Sequence, residues 1–193
     1  LEAAVPSLVT SMAEQRRNTR STRTASKAKP VDEYGHLQPQ APEIEEAVLG
    51  ALMIEKDAYS IVSEILRPES FYEHRHQLLY KAITTLAMRQ QPIDILTVAE
   101  QLRTTGDLEE VGGPFYITQL SGKVASSAHI EYHARIIAQK FLARELITFT
   151  SNIQTLAFDE TQDVDELMQQ AEGKLFEISQ KNMKKDYTQI NPV

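Results

Sequence analysis

From Glu43 onward, apolar residues recur at steps of three and four, the spacing that lines one face of an α-helix. Ile44, Ala47, Val48, Ala51 and Leu52 predict a first helix, and a second runs from about Ala58 to Leu66, where Arg67-Pro68 stops it. Phe71 and Tyr72 follow as core plugs. Leu78, Leu79, Ala82, Ile83 and Leu86 share the face of a third helix that ends at Gln90-Gln91-Pro92. Asp94 is placed to cap a fourth, carrying Ile95, Val98, Ala99 and Leu102 before Gly106 closes it. Leu108 then returns to the core, Glu109 and Glu110 stay in water, and Gly112-Gly113 frees the backbone before Pro114 opens a fifth helix. With no alternating segment of strand length, residues 42–125 read as a compact all-α bundle.

Past Ser126 the pattern changes, running nearly free of Gly and Pro from about His129 to Phe158. A turn at Phe158-Asp-Glu-Thr-Gln leads to Asp163 and Glu166 at capping-box spacing. Val164, Leu167, Met168, Ala171, Leu175 and Ile178 then form a return stripe. Residues 126–181 thus read as a protruding antiparallel helical hairpin. Two helices bury each other's stripes poorly, so Phe149, Leu156, Val164, Leu167, Met168 and Leu175 are assigned mainly to pairing with a second copy, a dimer expected from periodicity alone. Residues 182–193, polar and containing Asn191-Pro192, read as the start of a linker, and residues 1–41 as a disordered arm. Met12 followed by AEQRRN looks like a natural start, which makes residues 1–11 an appended leader.

Composition narrows the class. The chain has 193 residues with seven Gly, eight Pro and no Cys, so disulfides and thiolate metal sites are excluded and a cytoplasmic setting is expected. No apolar run reaches the roughly 18 residues of a membrane-spanning helix. Net charge is −7, yet Arg16, Arg17, Arg20, Arg23, Lys27 and Lys29 are concentrated in the arm, so the remainder is more acidic still. That balance opposes a broad phosphate-binding surface on the globe. A DNA-binding module in which the basic arm contacts phosphates is the alternative reading, weighed below a solvated tail.

Candidate chemistry is sparse. His129 and His133 share a helix face but lack a third and fourth ligand, and HIEYH departs from the zinc-protease pattern. His74 and His76, flanking Arg75, are expected to decorate a helix start. Glu109 with Glu110 and Asp163 with Asp165 have no nearby nucleophile or Gly-rich cradle, which disfavours a hydrolase. Gly122-Lys123 is followed by Val and is no P-loop. No catalytic, cofactor or metal site is assigned.

Residues 92–113, PIDILTVAEQLRTTGDLEEVGG, join a capped helix, a glycine stop and an acidic turn in fixed order. With IEEAVLGALM from Ile44, RPESFYEHRHQLLYKAI from Arg67, FYITQL from Phe115, SSAHIEYHARII from Ser126 and DVDELMQQAEGKLFEIS from Asp163, the chain resembles the N-terminal domain of the bacterial replicative DNA helicase, the DnaB family, over about residues 42–183. The resemblance implies an all-α globe plus hairpin, assembled as a collar of dimers in a hexamer and docking the C-terminal domain of primase, with a helicase loader as a further partner. It implies that ATP, magnesium and DNA belong to a separate RecA-like motor absent from this non-catalytic chain. Tyr116, Ile147 and Ile153 match the family region to which primase binds, with Glu43 at the same groove. For each of these, core packing is the competing and favoured role.

Overall fold

The computed structural model describes residues 37–123 and 129–183, with side chains through Gln180. The expected basic arm up to residue 36, its leader, the 124–128 connection and the linker after 183 lie outside the described residues.

Among the described residues the regular elements are eight α-helices and one 3-10 turn. Helix α1 spans Pro42–Ile54 and α2 spans Ala58–Ile65; the 3-10 turn Pro68–Ser70 leads to α3, His74–Met88. Then come α4, Ile95–Thr105, α5, Leu108–Val111, and α6, Gly113–Gly122. The hairpin is α7, Ile130–Ala157, and α8, Val164–Met183. The expected all-α bundle and hairpin are present. Two details differ. The acidic corner is itself one helical turn, α5, because Asp107 accepts the Val111 amide at 3.1 Å and Leu108 and Val111 are buried together. Helix α8 also continues through Met183, two residues into the stretch read as linker.

Local chemistry fixes the boundaries. The Asp94 carboxylate accepts the Leu96 and Thr97 amides, both at 2.9 Å, while the Thr97 hydroxyl accepts the Asp94 amide, a reciprocal cap. Gly106 closes α4 at φ +84, with the Asp107 amide reaching back to the Leu102 carbonyl. Asp163 likewise accepts the Asp165 and Glu166 amides and starts α8.

Helix α1 is the axis of the globe, packing on α3, α6 and α7. Val48, Leu49, Ala51, Leu52 and Met53 are all buried, a run possible only for a helix covered on several sides. Phe71 plugs the core with its ring 5.0 Å from that of Tyr80. The first half of α7 joins this core through Ile130, Ala134 and Ile137. Arg144 then staples the long helix down, donating to the Pro39 and Ser70 carbonyls, both at 2.7 Å, with its guanidinium over the Tyr72 and Phe141 rings. Beyond Arg144 the apolar residues of α7 are exposed or half-buried, and α8 packs against them.

Candidate interaction surface and a buried polar network

The hairpin's apolar positions divide by exposure. Leu167 and Ile178 are buried against α7, whereas Val164, Met168, Leu175 and Phe176 remain 71%, 57%, 52% and 63% exposed. Leu146 and Ile147 are exposed on α7, and Phe149, Ile153 and Leu156 are half-buried. A groove of about 250 Å³ runs between the helices, lined by Phe149, Thr150, Ile153, Met168, Ala171, Glu172 and Leu175. A second groove of about 490 Å³, more polar, is lined in part by Glu145, Asn152, Leu156, Lys174 and Ile178. Of the residues assigned to self-association, Leu167 is therefore spent within the hairpin, while the others line or flank the open surface.

The four residues placed in the family's primase region do not share one environment. Glu43 is exposed on the first turn of α1, Ile147 is 43% exposed, and Ile153 lines both grooves. Tyr116 departs from an outward-facing role: only 8% of it is accessible, because the tight Gly112-Gly113 corner turns α6 inward and sets the ring in the core.

There Tyr116 meets two residues not assigned together from sequence. Its hydroxyl lies 2.7 Å from His76 Nε2 and 3.1 Å from Glu46 Oε1, and Lys123 Nζ donates to Glu46 Oε2. On its other side, His76 Nδ1 is 2.7 Å from Glu45 Oε2. Glu45 also accepts the Tyr72 amide at 2.7 Å and the Glu73 amide at 3.4 Å, so a carboxylate from α1 stands at the N-terminus of α3, where the helix dipole favours it. The Arg75 guanidinium sits 4.2 Å from the centre of the Tyr116 ring. His76 is fully buried, which corrects the expectation that it decorates a helix start; His74, mostly exposed and 3.4 Å from Glu110, does occupy that position. The signal was present in the spacing. Glu45 shares a face with Val48, Leu49 and Leu52, and His76 with Leu79, Tyr80 and Ile83, so both polar residues fall on core stripes.

Ionisation follows this geometry. Burial raises the Glu46 carboxyl, but the bonds from Lys123 and Tyr116, with the Lys123 charge, outweigh it and leave it below the ordinary value. Burial pushes the Tyr116 and Tyr80 phenols far up, so both hydroxyls keep their protons. Among the described residues no group of three His, Asp or Glu is placed to hold a metal ion, and no helix is long and apolar enough to cross a membrane. His129 is exposed and His133 half-buried.

Fold and surface together define an all-helical globe extended by a helical hairpin with an open apolar face. Residues 37–139 match the family model described as the DnaB-like helicase N terminal domain. The chain is 43% identical over 159 residues to the replicative DNA helicase DnaB of Rhodothermus marinus, covering 82% of this chain and 17% of that protein. It is 36% identical over 157 residues to the replicative DNA helicase DnaC of Bacillus subtilis, covering 81% and 35%. The N-terminal domain of DnaB helicase from Mycobacterium tuberculosis superposes with a TM-score of 0.68 at 35% identity, covering 72% of this chain and 98% of that one. A DnaB-like replicative helicase described together with its interactions with primase gives 0.59 at 26% identity, covering 72% and 31%. The chain belongs to the DnaB family and carries the N-terminal domain of a replicative DNA helicase. It spans about a sixth to a third of the length of these two helicases.

Proposed function

We propose that this domain is a non-catalytic collar that pairs with further copies through its hairpin, contributes to a hexamer in the full-length helicase, and docks the C-terminal domain of primase in the bacterial cytoplasm. One observation carries the reading: the hairpin buries Leu167 and Ile178 within itself but leaves Val164, Met168, Leu175 and Phe176 more than half exposed. Exposed apolar side chains in such number, with Met168 and Leu175 lining one groove with Phe149 and Ile153, are stable in water when a partner covers them. A second copy offers the same surface about a two-fold axis, which is the economical way for an isolated hairpin to complete its packing.

The primase role is supported by the description of one structural neighbour with its primase and by the exposed position of Ile147. A primase that prefers one packing of the collar shifts the collar toward it, which would couple ring geometry to primer synthesis. ATP and magnesium would act in a motor domain, which would also contact DNA, and a loader would be a further partner of the full-length protein.

Light scattering of the chain over a concentration series, alone and with a bacterial primase C-terminal domain, tests this. A dimer or larger assembly that gains primase mass, with self-association lost in Met168→Asp/Leu175→Asp and primase binding lost in Ile147→Asp, is the expected result. A monomer that ignores primase sinks it, and steeply salt-dependent DNA binding by the same sample would favour the basic-arm reading instead.

A further inference from the structure

The buried chain of contacts from Glu45 to Lys123 contains a proton count that its geometry fixes. Three consecutive separations fall in the hydrogen-bonding range: Glu45 Oε2 to His76 Nδ1 at 2.7 Å, His76 Nε2 to Tyr116 Oη at 2.7 Å, and Tyr116 Oη to Glu46 Oε1 at 3.1 Å. Each needs one hydrogen between its heavy atoms. Glu46 is held ionised by Lys123, so its oxygen only accepts. The last contact therefore takes the single hydrogen of the Tyr116 hydroxyl. The middle contact then has to be supplied by an Nε2–H, and the first by an Nδ1–H, because an ionised Glu45 has none to give. A neutral imidazole carries one hydrogen where two are needed. It would leave lone pairs facing each other at His76–Tyr116, at Tyr116–Glu46 or at Glu45–His76, inside a site where unsatisfied polar contacts are costly. A proton drawn onto Glu45 would move it across the same 2.7 Å bond without changing the count.

We propose that His76 is held doubly protonated in the core, and that the Glu45–His76–Tyr116–Glu46 chain is a proton-dependent latch joining α1, α3 and α6. The charged and titratable groups facing it are Glu45 and Glu46 from α1, Tyr72 and Glu73 ahead of α3, Arg75 on α3, Tyr116 from α6, Lys123 just past its end, and Arg144 from α7. Arg75, Arg144 and Lys123 oppose the extra positive charge. The Glu45 carboxylate is in direct contact with His76 Nδ1, and the Glu46 carboxylate lies one hydroxyl away from Nε2. Loss of the proton leaves two acceptors in contact at one of the three junctions among α1, α3 and α6. α1, which supplies both carboxylates of the latch, also packs on α7. This inference concerns the globe alone and stands whether or not the hairpin binds primase.

Nitrogen-15 NMR of the full chain, with His76 assigned by comparison with His76→Gln, tests it directly. At pH 7.5 both ring nitrogens of His76 are expected to show attached or bridging protons, the Nε2–H in slow exchange with water. In Tyr116→Phe the Nε2 proton loses its acceptor and its slowly exchanging signal is expected to vanish. A wild-type spectrum with a bare Nε2 or a bare Nδ1 overturns the proposal, as does a Tyr116→Phe spectrum indistinguishable from wild type at His76. If Tyr116→Phe does not fold, the wild-type spectrum alone decides.

Discussion

The Tyr116 hydroxyl lies 2.7 Å from His76 Nε2, although the two residues are 40 positions apart and belong to different helices. Their rings are nearly parallel, with centroids 6.2 Å apart, and the tyrosine hydroxyl also serves Glu46. A tyrosine that the family resemblance suggests for partner contact is thus committed to holding α6 against α1 and α3.

Tyr116→Phe removes that hydroxyl but preserves the ring and its contact with Arg75. It leaves a buried His76 nitrogen and a Glu46 oxygen short of a partner, and is expected to cost about 1–3 kcal/mol in urea denaturation. Binding of primase to the folded variant is expected to persist, since the side chain is buried. A variant as stable as wild type would show that the hydroxyl contributes nothing to the junction.

Glu46 sets the acid limit of this junction. Its carboxyl in the folded state lies below its ordinary value of 4.5, so its contribution is complete above that pH and is lost as pH falls through the depressed value. Thermal melting from pH 7 to 3 is expected to decline at the acid end, with a shallower decline in Glu46→Gln. Parallel curves for the two proteins would count against this role.

Arg144 is the staple between the long helix and the globe. Arg144→Ala deprives the Pro39 and Ser70 carbonyls of their donor, and a loss of about 2–3 kcal/mol is expected, concentrated in α7. Faster amide exchange in the first half of α7 than in α3 is the signature to look for. Arg144→Lys is expected to recover little, because one ammonium does not reproduce a fork that serves two carbonyls.

Two glycines with positive φ make an internal comparison. A Cβ at Gly112, φ +110, would meet Tyr116 Cβ at 3.1 Å, whereas one at Gly106, φ +84, would meet nothing within 4 Å. Gly106→Ala is expected to cost about 1 kcal/mol from backbone strain alone, and Gly112→Ala clearly more, by the ranking of their melting temperatures. Equal losses would mean that α6 yields easily at its start.

The sequence by itself determined the helices, their order and the class of the fold. Helix periodicity, the Asp94 cap and the Gly106 stop are local, set by side-chain spacing and by backbone groups within a few residues. The ordered segments from Ile44 to Asp163 carried the family for the same reason, since each is a short contiguous string. Sequence periodicity also drew the hairpin stripe, though it did not separate Leu167, which the hairpin buries, from Met168 and Leu175, which it exposes. Only the tertiary structure decided that difference, because it depends on the rotation of α8 about its own axis against α7. The core junction was likewise a matter of tertiary structure. Spacing puts Glu45 and His76 on buried faces, but it does not say that α1 delivers a carboxylate to the start of α3, or that the Gly112 corner delivers Tyr116 to both. A hydrogen bond acts over about 3 Å in space, and residues 31 and 40 positions apart come within that reach only once the helices have packed.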